Sequence, residues 1–148
     1  MEKLIIPLAT PSKKNSKIFN KKTNRMFCSK NYQEWHKAAS LFINTNLKRK
    51  DIDCCFIVMI FTHGDRRRRD SDNGVNSIFD TLVDVNTLID DSWQNIPTHT
   101  VFNFFNEKNP SCEIRIYSLD EVNLYTEDIK LLTLNCKESM VNYFSHKK

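Results

Sequence analysis

Apolar positions along this chain repeat with two different periods, interrupted by one nearly unbroken run. Tyr32, Trp35, Ala39, Phe42 and Ile43 recur at steps of three and four, the spacing of a helix with one buried face. Ser29 stands where an N-cap belongs, and Lys48, Arg49 and Lys50 follow where the helix dipole favours positive charge. The same period returns in Val75, Ile78, Phe79, Leu82 and Val85, which predicts a second helix over 73–86 with Asp72 as its N-cap. Between the two lies "DCCFIVMIFTH" (53–63), rich in β-branched and aromatic residues and too short for a buried helix. It reads as a central strand.

Shorter alternating stretches complete the plan. "KLIIPL" (3–8) reads as a first strand, "SKIFNKKTNRMFCS" as a hairpin turning at "NKKTN", and "THTVFNFFNEK" and "SCEIRIYS" as two further strands. Ser118 and Glu121 have capping-box spacing before a C-terminal helical stripe of Ile129, Leu132, Cys136, Met140, Val141 and Phe144. This order predicts an α+β fold, a mixed or antiparallel sheet with helices packed on it. A domain over 1–117 would carry a helical extension over 118–148, docked on that domain or on a second subunit.

Composition narrows the class without naming a chemistry. The chain has 148 residues, 40% hydrophobic and 27% charged, ordinary values for one globular core. No apolar run reaches the roughly 18–20 residues of a membrane span, and the N-terminus lacks a cleavable signal, so a cytoplasmic location is expected. The five cysteines show no paired metal-ligand spacing, which argues against zinc and against a disulfide framework.

Charge distribution changes the picture more than its net value of +4. Basic residues crowd into 13–30, 48–50 and 66–69, whereas residues 70–91 hold six aspartates and no basic residue. At the boundary stands "DRRRRDSDN" (65–73). A lone Asp-x-Asp is as readily loop or helix cap as site. Four arginines before it and Asp90-Asp91 eighteen residues beyond Asp72 shift the balance. If the second helix returns the chain, Asp90 or Asp91 joins Asp70 and Asp72 at the end of the central strand. Three carboxylates there would hold a hard cation, Mg²⁺ or Mn²⁺, whose Lewis acidity suits phosphodiester hydrolysis. Arg66, Arg67, Arg68 and Arg69 would neutralise backbone phosphates, with Lys13, Lys14 and Lys17 extending the track.

The stretch "RRRRDSDNGVNSIFDTLVDVNTLIDDSWQ", preceded by "IIPLATPSKKNSK", resembles the RusA family of Holliday junction resolvases. That family shows a basic run, D-x-D-N, an "FDAL"-like helix and a following "DD". The resemblance implies a homodimeric, Mg²⁺-dependent endonuclease that nicks four-way branched DNA in recombination and repair. It matches Asp70, Asp72 and Asp91 to the catalytic carboxylates, with Asp90 as second choice in its pair. The family commonly carries a lysine where this chain has Asn76, which can donate a hydrogen bond to the DNA but brings no charge. Gly74 replaces a bulkier residue, which predicts a looser first turn. The alternative is a protein on the same scaffold that binds junctions without cutting.

Other candidates read as structural. His63 and His99 suit local hydrogen bonds at strand ends. Phe102, Phe104 and Phe105 suit a core or a dimer seam better than base stacking, and Trp93 is evenly balanced between the two roles.

Overall fold

The apolar run at 53–63 becomes the strand on which everything else is built. The computed structural model describes the backbone of residues 1–145 and the side chains of 1–141. Its strands are β1 (Glu2–Ile6), β2 (Lys17–Asn20), β3 (Arg25–Cys28), β4 (Phe56–His63), β5 (Thr98–Phe105) and β6 (Ser111–Tyr117). Its helices are α1 (Lys30–Asn46), α2 (Val75–Asp84) and α3 (Val122–Ser145). A four-stranded sheet runs in the order β1-β6-β4-β5. β1, β6 and β4 pair antiparallel, and β5 joins β4 in parallel, so the sheet is mixed. The basic hairpin β2–β3 stands apart as a two-stranded ribbon.

β4 is apolar throughout because both its faces are covered. Ile57, Met59 and Phe61 face a core shared with α1 and α2, while Val58 and Ile60 face a second core shared with α3. Burying such a side chain contributes about 1.5–3 kcal/mol. α1 lays Tyr32, Trp35, Ala39 and Ile43 on the first face, with the Ser29 hydroxyl accepting from the Tyr32 amide at 3.3 Å, as its spacing predicts.

α2 is shorter than its sequence suggests, Val75–Asp84 rather than 73–86. Asn86 ends it in the left-handed region (φ 55°), where the Thr87 amide donates to the Leu82 carbonyl and the Asn86 amide to Val83, both at 2.9 Å. The chain then runs parallel beside residue 52, through a bridge between Ile52 and Leu88, before β5 begins.

α3 follows the Ser118–Glu121 capping box and closes the second face. Tyr125 and Leu132 are buried against Val58, Ile60, Phe102 and Tyr117. Arg115 holds Asp128 at 2.7 Å and Glu113 at 2.6 Å, and the Tyr117 hydroxyl donates to the same Asp128 carboxylate. Phe144, expected in the α3 stripe, has its side chain outside the described residues. Among the described residues no helix is long and apolar enough to cross a membrane.

Candidate functional site

The loop leaving β4 is organised by an acid outside the Asp-x-Asp pair. Asp65 accepts from Arg67 Nε (3.0 Å) and Nη2 (2.8 Å), from Arg69 Nη1 (2.6 Å) and Nη2 (2.8 Å), and from the Arg67 amide (3.0 Å). Hydrogen bonds from Arg69 first, then Arg67, hold its carboxyl far below the usual carboxylate range. The Arg66 guanidinium lies 4.8 Å from the Phe105 ring centre, a cation–π contact. The arginine run is therefore not a row of equivalent clamps. Arg68 is exposed, Arg67 is mostly exposed but tied, and the Arg69 side chain is only 30% accessible.

Past the arginines the chain turns twice. The Asn73 amide donates to the Asp70 carbonyl (3.3 Å) and the Val75 amide to the Asp72 carbonyl (3.0 Å). α2 starts only at Val75, with Gly74 in the cap position and no side-chain cap. This corrects the expectation that Asp72 caps the helix: its backbone makes the turn and its carboxylate is not spent on capping. Asp70 and Asp72 are both exposed, and neither carboxylate accepts a hydrogen bond from the described residues.

Gly74 has a cause other than a loosened helix. A Cβ built there would lie 2.7 Å from Phe61 Cε1 and 2.9 Å from Cζ, inside contact distance of a buried ring. The missing side chain lets the acid turn sit directly on the end of β4. The turn is also tied to β5, where Asn103 Nδ2 donates to the Ser71 carbonyl at 3.4 Å. The Asn103 Oδ1 is joined in turn to His63 Nε2 at 2.8 Å.

Asp90 and Asp91 do not come back to that turn. The Ile89 amide donates to the Ile52 carbonyl (3.2 Å), and the Cys55 amide to Asn95 (3.0 Å). The pair thus sits where β4 begins, whereas Asp70 and Asp72 sit where it ends. Eight residues of strand separate these ends, about 25 Å. The reason is topological: a helix joining two parallel strands must carry the chain back to the start of the first strand. Both acids are exposed, with Asp90 Oδ1 accepting from the Asp91 amide at 2.9 Å. Among the described residues no three His, Cys, Asp or Glu side chains are placed to share an ion. As donors, unpartnered carboxylate oxygens suit Mg²⁺ in kind. In number, one chain does not collect them.

Basic residues flank the acid turn unequally. The segment 11–16 lies along α2, with the Ser77 hydroxyl donating to the Pro11 carbonyl (2.7 Å) and accepting from the Lys13 amide (3.0 Å). Lys13 Nζ is bound to Asp80 at 2.7 Å. Burial works against its ammonium, but the Asp80 hydrogen bond outweighs that and raises its pKa. Lys14 and Lys17 are exposed, as is Asn76 in the first turn of α2. A cavity of about 660 Å³ opens between this loop, the end of β5 and α3, reaching Asp70, Arg66, Phe104, Phe105 and Met140. Phe102 is core, Phe104 and Phe105 are half-buried, and Trp93 beside the Asp90-Asp91 pair is 76% exposed.

Sequence reasoning missed Asp65, Asp80 and Asn103. Asp65 had a legible signal, since Arg67 and Arg69 follow it at two and four residues. Asp80 and Asn103 meet their partners only through the fold.

The family model described as Endodeoxyribonuclease RusA matches residues 7–117, from the residue after β1 to the last residue of β6. No curated protein is similar enough in sequence to be matched to the chain.

Proposed function

The chain belongs to the RusA endodeoxyribonuclease family, and from that premise we propose that it resolves four-way DNA junctions by paired nicks. The observation that carries this reading is the acid turn at the end of β4. Asp70 and Asp72 are exposed, without a hydrogen-bond partner among the described residues, and flanked by guanidinium groups on a loop that Asp65 pre-organises. Arg68 and the exposed part of Arg67 neutralise phosphates of the cut strand, and Lys14 and Lys17 extend that contact. The protein works as a homodimer on branched DNA in recombination and repair, inside the cytoplasm.

Mg²⁺, or Mn²⁺ in its place, would be held by Asp70 and Asp72 on the acid turn, whereas Asp91 and Asp90, the expected further ligands, lie about 25 Å away in the same chain. Bound there, it supplies a Lewis acid that polarises the scissile phosphate and lowers the pKa of an attacking water. The chain's own part is to fix the two carboxylates on a turn locked to β4 and β5, and to hold the phosphate with guanidinium groups.

A synthetic four-way junction incubated with the protein and Mg²⁺ tests the reading. Symmetrical nicks that vanish in Asp72→Asn, with junction affinity kept, support it; tight binding by wild type without any nick overturns it. Asn76 favours the second reading, a junction-binding protein that does not cut. An exposed amide at this position cannot stabilise developing negative charge as an ammonium would. Asn76→Lys should therefore raise the nicking rate. An unchanged rate would mean that another cation already fills that role.

A further inference from the structure

The cavity beside the acid turn has three walls, and one of them lies outside the family match. We propose that this cavity receives one unstacked base of the DNA strand bound at Asp70 and Asp72, and that α3 makes the pocket by closing its third side. The proposal rests on the endonuclease reading above and specifies how the strand is held next to the acids.

The walls come from distant parts of the chain. The loop after β4 supplies Arg66 and Asp70, the end of β5 supplies Phe104 and Phe105, and α3 supplies Ser139 and Met140. The family match ends at Tyr117, whereas α3 begins at Val122, so the match does not account for the third wall. That wall is fixed in place. Asp128 is held by Arg115 and Tyr117, and the Tyr125 and Thr100 hydroxyls share a hydrogen bond at 3.0 Å. Tyr125 and Leu132 are buried in the second core. A helix anchored along its first half carries Met140 to the end of β5.

The chemistry of the cavity matches a nucleotide. Its volume of about 660 Å³ falls within the roughly 300–1,000 Å³ of small-ligand sites, enough for a base and its sugar. Phe104 and Phe105 are half-buried and Met140 is 43% exposed, so two of the walls offer apolar surface. Any base has a flat face that stacks on aromatic side chains, and methionine, unbranched and polarisable, conforms to a purine or a pyrimidine. Arg66, laid against Phe105, brings a guanidinium to the same space, which suits a base tethered to phosphate. Asp70 lines the cavity too, so a strand whose phosphate lies at the acid turn has a neighbouring base within reach. An uncharged apolar ligand would gain nothing from the guanidinium, and a bare anion would gain nothing from the aromatic faces.

The pocket also bears on which DNA is bound. In continuous duplex each base is stacked on both sides, and leaving the helix costs that stacking. At a branch point the stack is already interrupted, so a base enters the cavity at lower cost. The pocket therefore favours branched DNA over duplex.

Binding measured in EDTA, where no strand is cut, tests the proposal on the full chain. Nucleotides flanking the branch point of a synthetic four-way junction are replaced in turn by 2-aminopurine, which brightens when it leaves the stack. One position is expected to brighten with wild type and to stay dark with Met140→Ala, while Met140→Leu, which keeps an apolar wall, behaves as wild type. An abasic nucleotide at that position should weaken wild-type binding about tenfold, the loss expected for one stacked base, and should not weaken binding by Met140→Ala further. Affinity for plain duplex should be the same for all three proteins.

A junction that is bound with no position brightening overturns the pocket and leaves the endonuclease reading intact. A base that brightens equally with Met140→Ala, with the same abasic penalty, leaves the stack somewhere else and overturns the role of α3. Loss of the signal to micromolar deoxynucleoside monophosphate would make the cavity a site for free nucleotides and overturn its assignment to the strand. A protein that binds neither junction nor duplex overturns this proposal and the endonuclease reading together.

Discussion

Replacing Gly74 with alanine probes the contact that seats the acid turn. The added methyl would meet the Phe61 ring at 2.7 and 2.9 Å, when ordinary contact begins near 3.4 Å, so it must displace something by more than half an ångström. The obstacle is not a flexible tip, because Phe61 is 3% exposed and belongs to the main core. Overpacking of this kind costs about 1–3 kcal/mol. Against it stands the lower entropy of the unfolded chain with alanine, worth about 0.4–1 kcal/mol. A net loss of about 1–2 kcal/mol is expected, a fall in Tm of roughly 3–7 °C for a chain of this size. Urea unfolding of four proteins checks it: wild type, Gly74→Ala, Phe61→Leu and the double variant. Phe61→Leu removes the obstructing ring edge, so the double variant should be more stable than the summed single losses imply, by about 1 kcal/mol. If the two losses simply add, the contact is not what selects glycine and the account of the turn is wrong. Because the same contact places Asp70 and Asp72, Gly74→Ala should also slow nicking more than its stability loss explains.

Two further outcomes follow from charged contacts. Asp65→Asn releases Arg67 and Arg69 from their shared carboxylate, so DNA affinity should rise at low salt and the slope of log K against log salt should steepen by about 1–2; an unchanged slope would show that neither arginine is withheld from DNA. Asp128→Asn breaks the Arg115 and Tyr117 contacts that dock α3, costing about 2 kcal/mol in thermal or urea unfolding. Burial alone would raise the Asp128 pKa, but hydrogen bonds from Tyr117 and Arg115 outweigh it and lower it. Its stabilisation is therefore fully present above the ordinary aspartate value of about 3.9 and is lost as pH falls through the lower folded value. The gap between wild type and variant should be constant above about pH 5 and narrow below pH 4; a gap that widens in acid contradicts the sign.

Much of the architecture was written locally. Helical spacing from Tyr32 to Ile43, the Ser29 cap and the Ser118–Glu121 box depend on neighbours within a turn or two, and each appears where its residues place it. The unbroken run of β4 implied cover on both faces, and α3 supplies the second cover. The beginning of α2 was misread because Asp72 is a good cap in isolation. What overrides it is the Phe61 ring, distant in sequence, against which only a glycine fits at position 74.

The arginine and aspartate motif points to phosphate and cation chemistry from residue type alone, an expectation that rests on charge and hard oxygen donors being properties of side chains wherever they stand. Where those groups meet was beyond it. Asp65 claims two of the arginines, Asp80 claims Lys13, and the length of β4 keeps Asp91 from Asp70 and Asp72. Short-range spacing determines which segments form helices and strands and which chemistry they carry. The distances between segments are set by how strands pair and which way a connecting helix runs, and only the folded chain decides those.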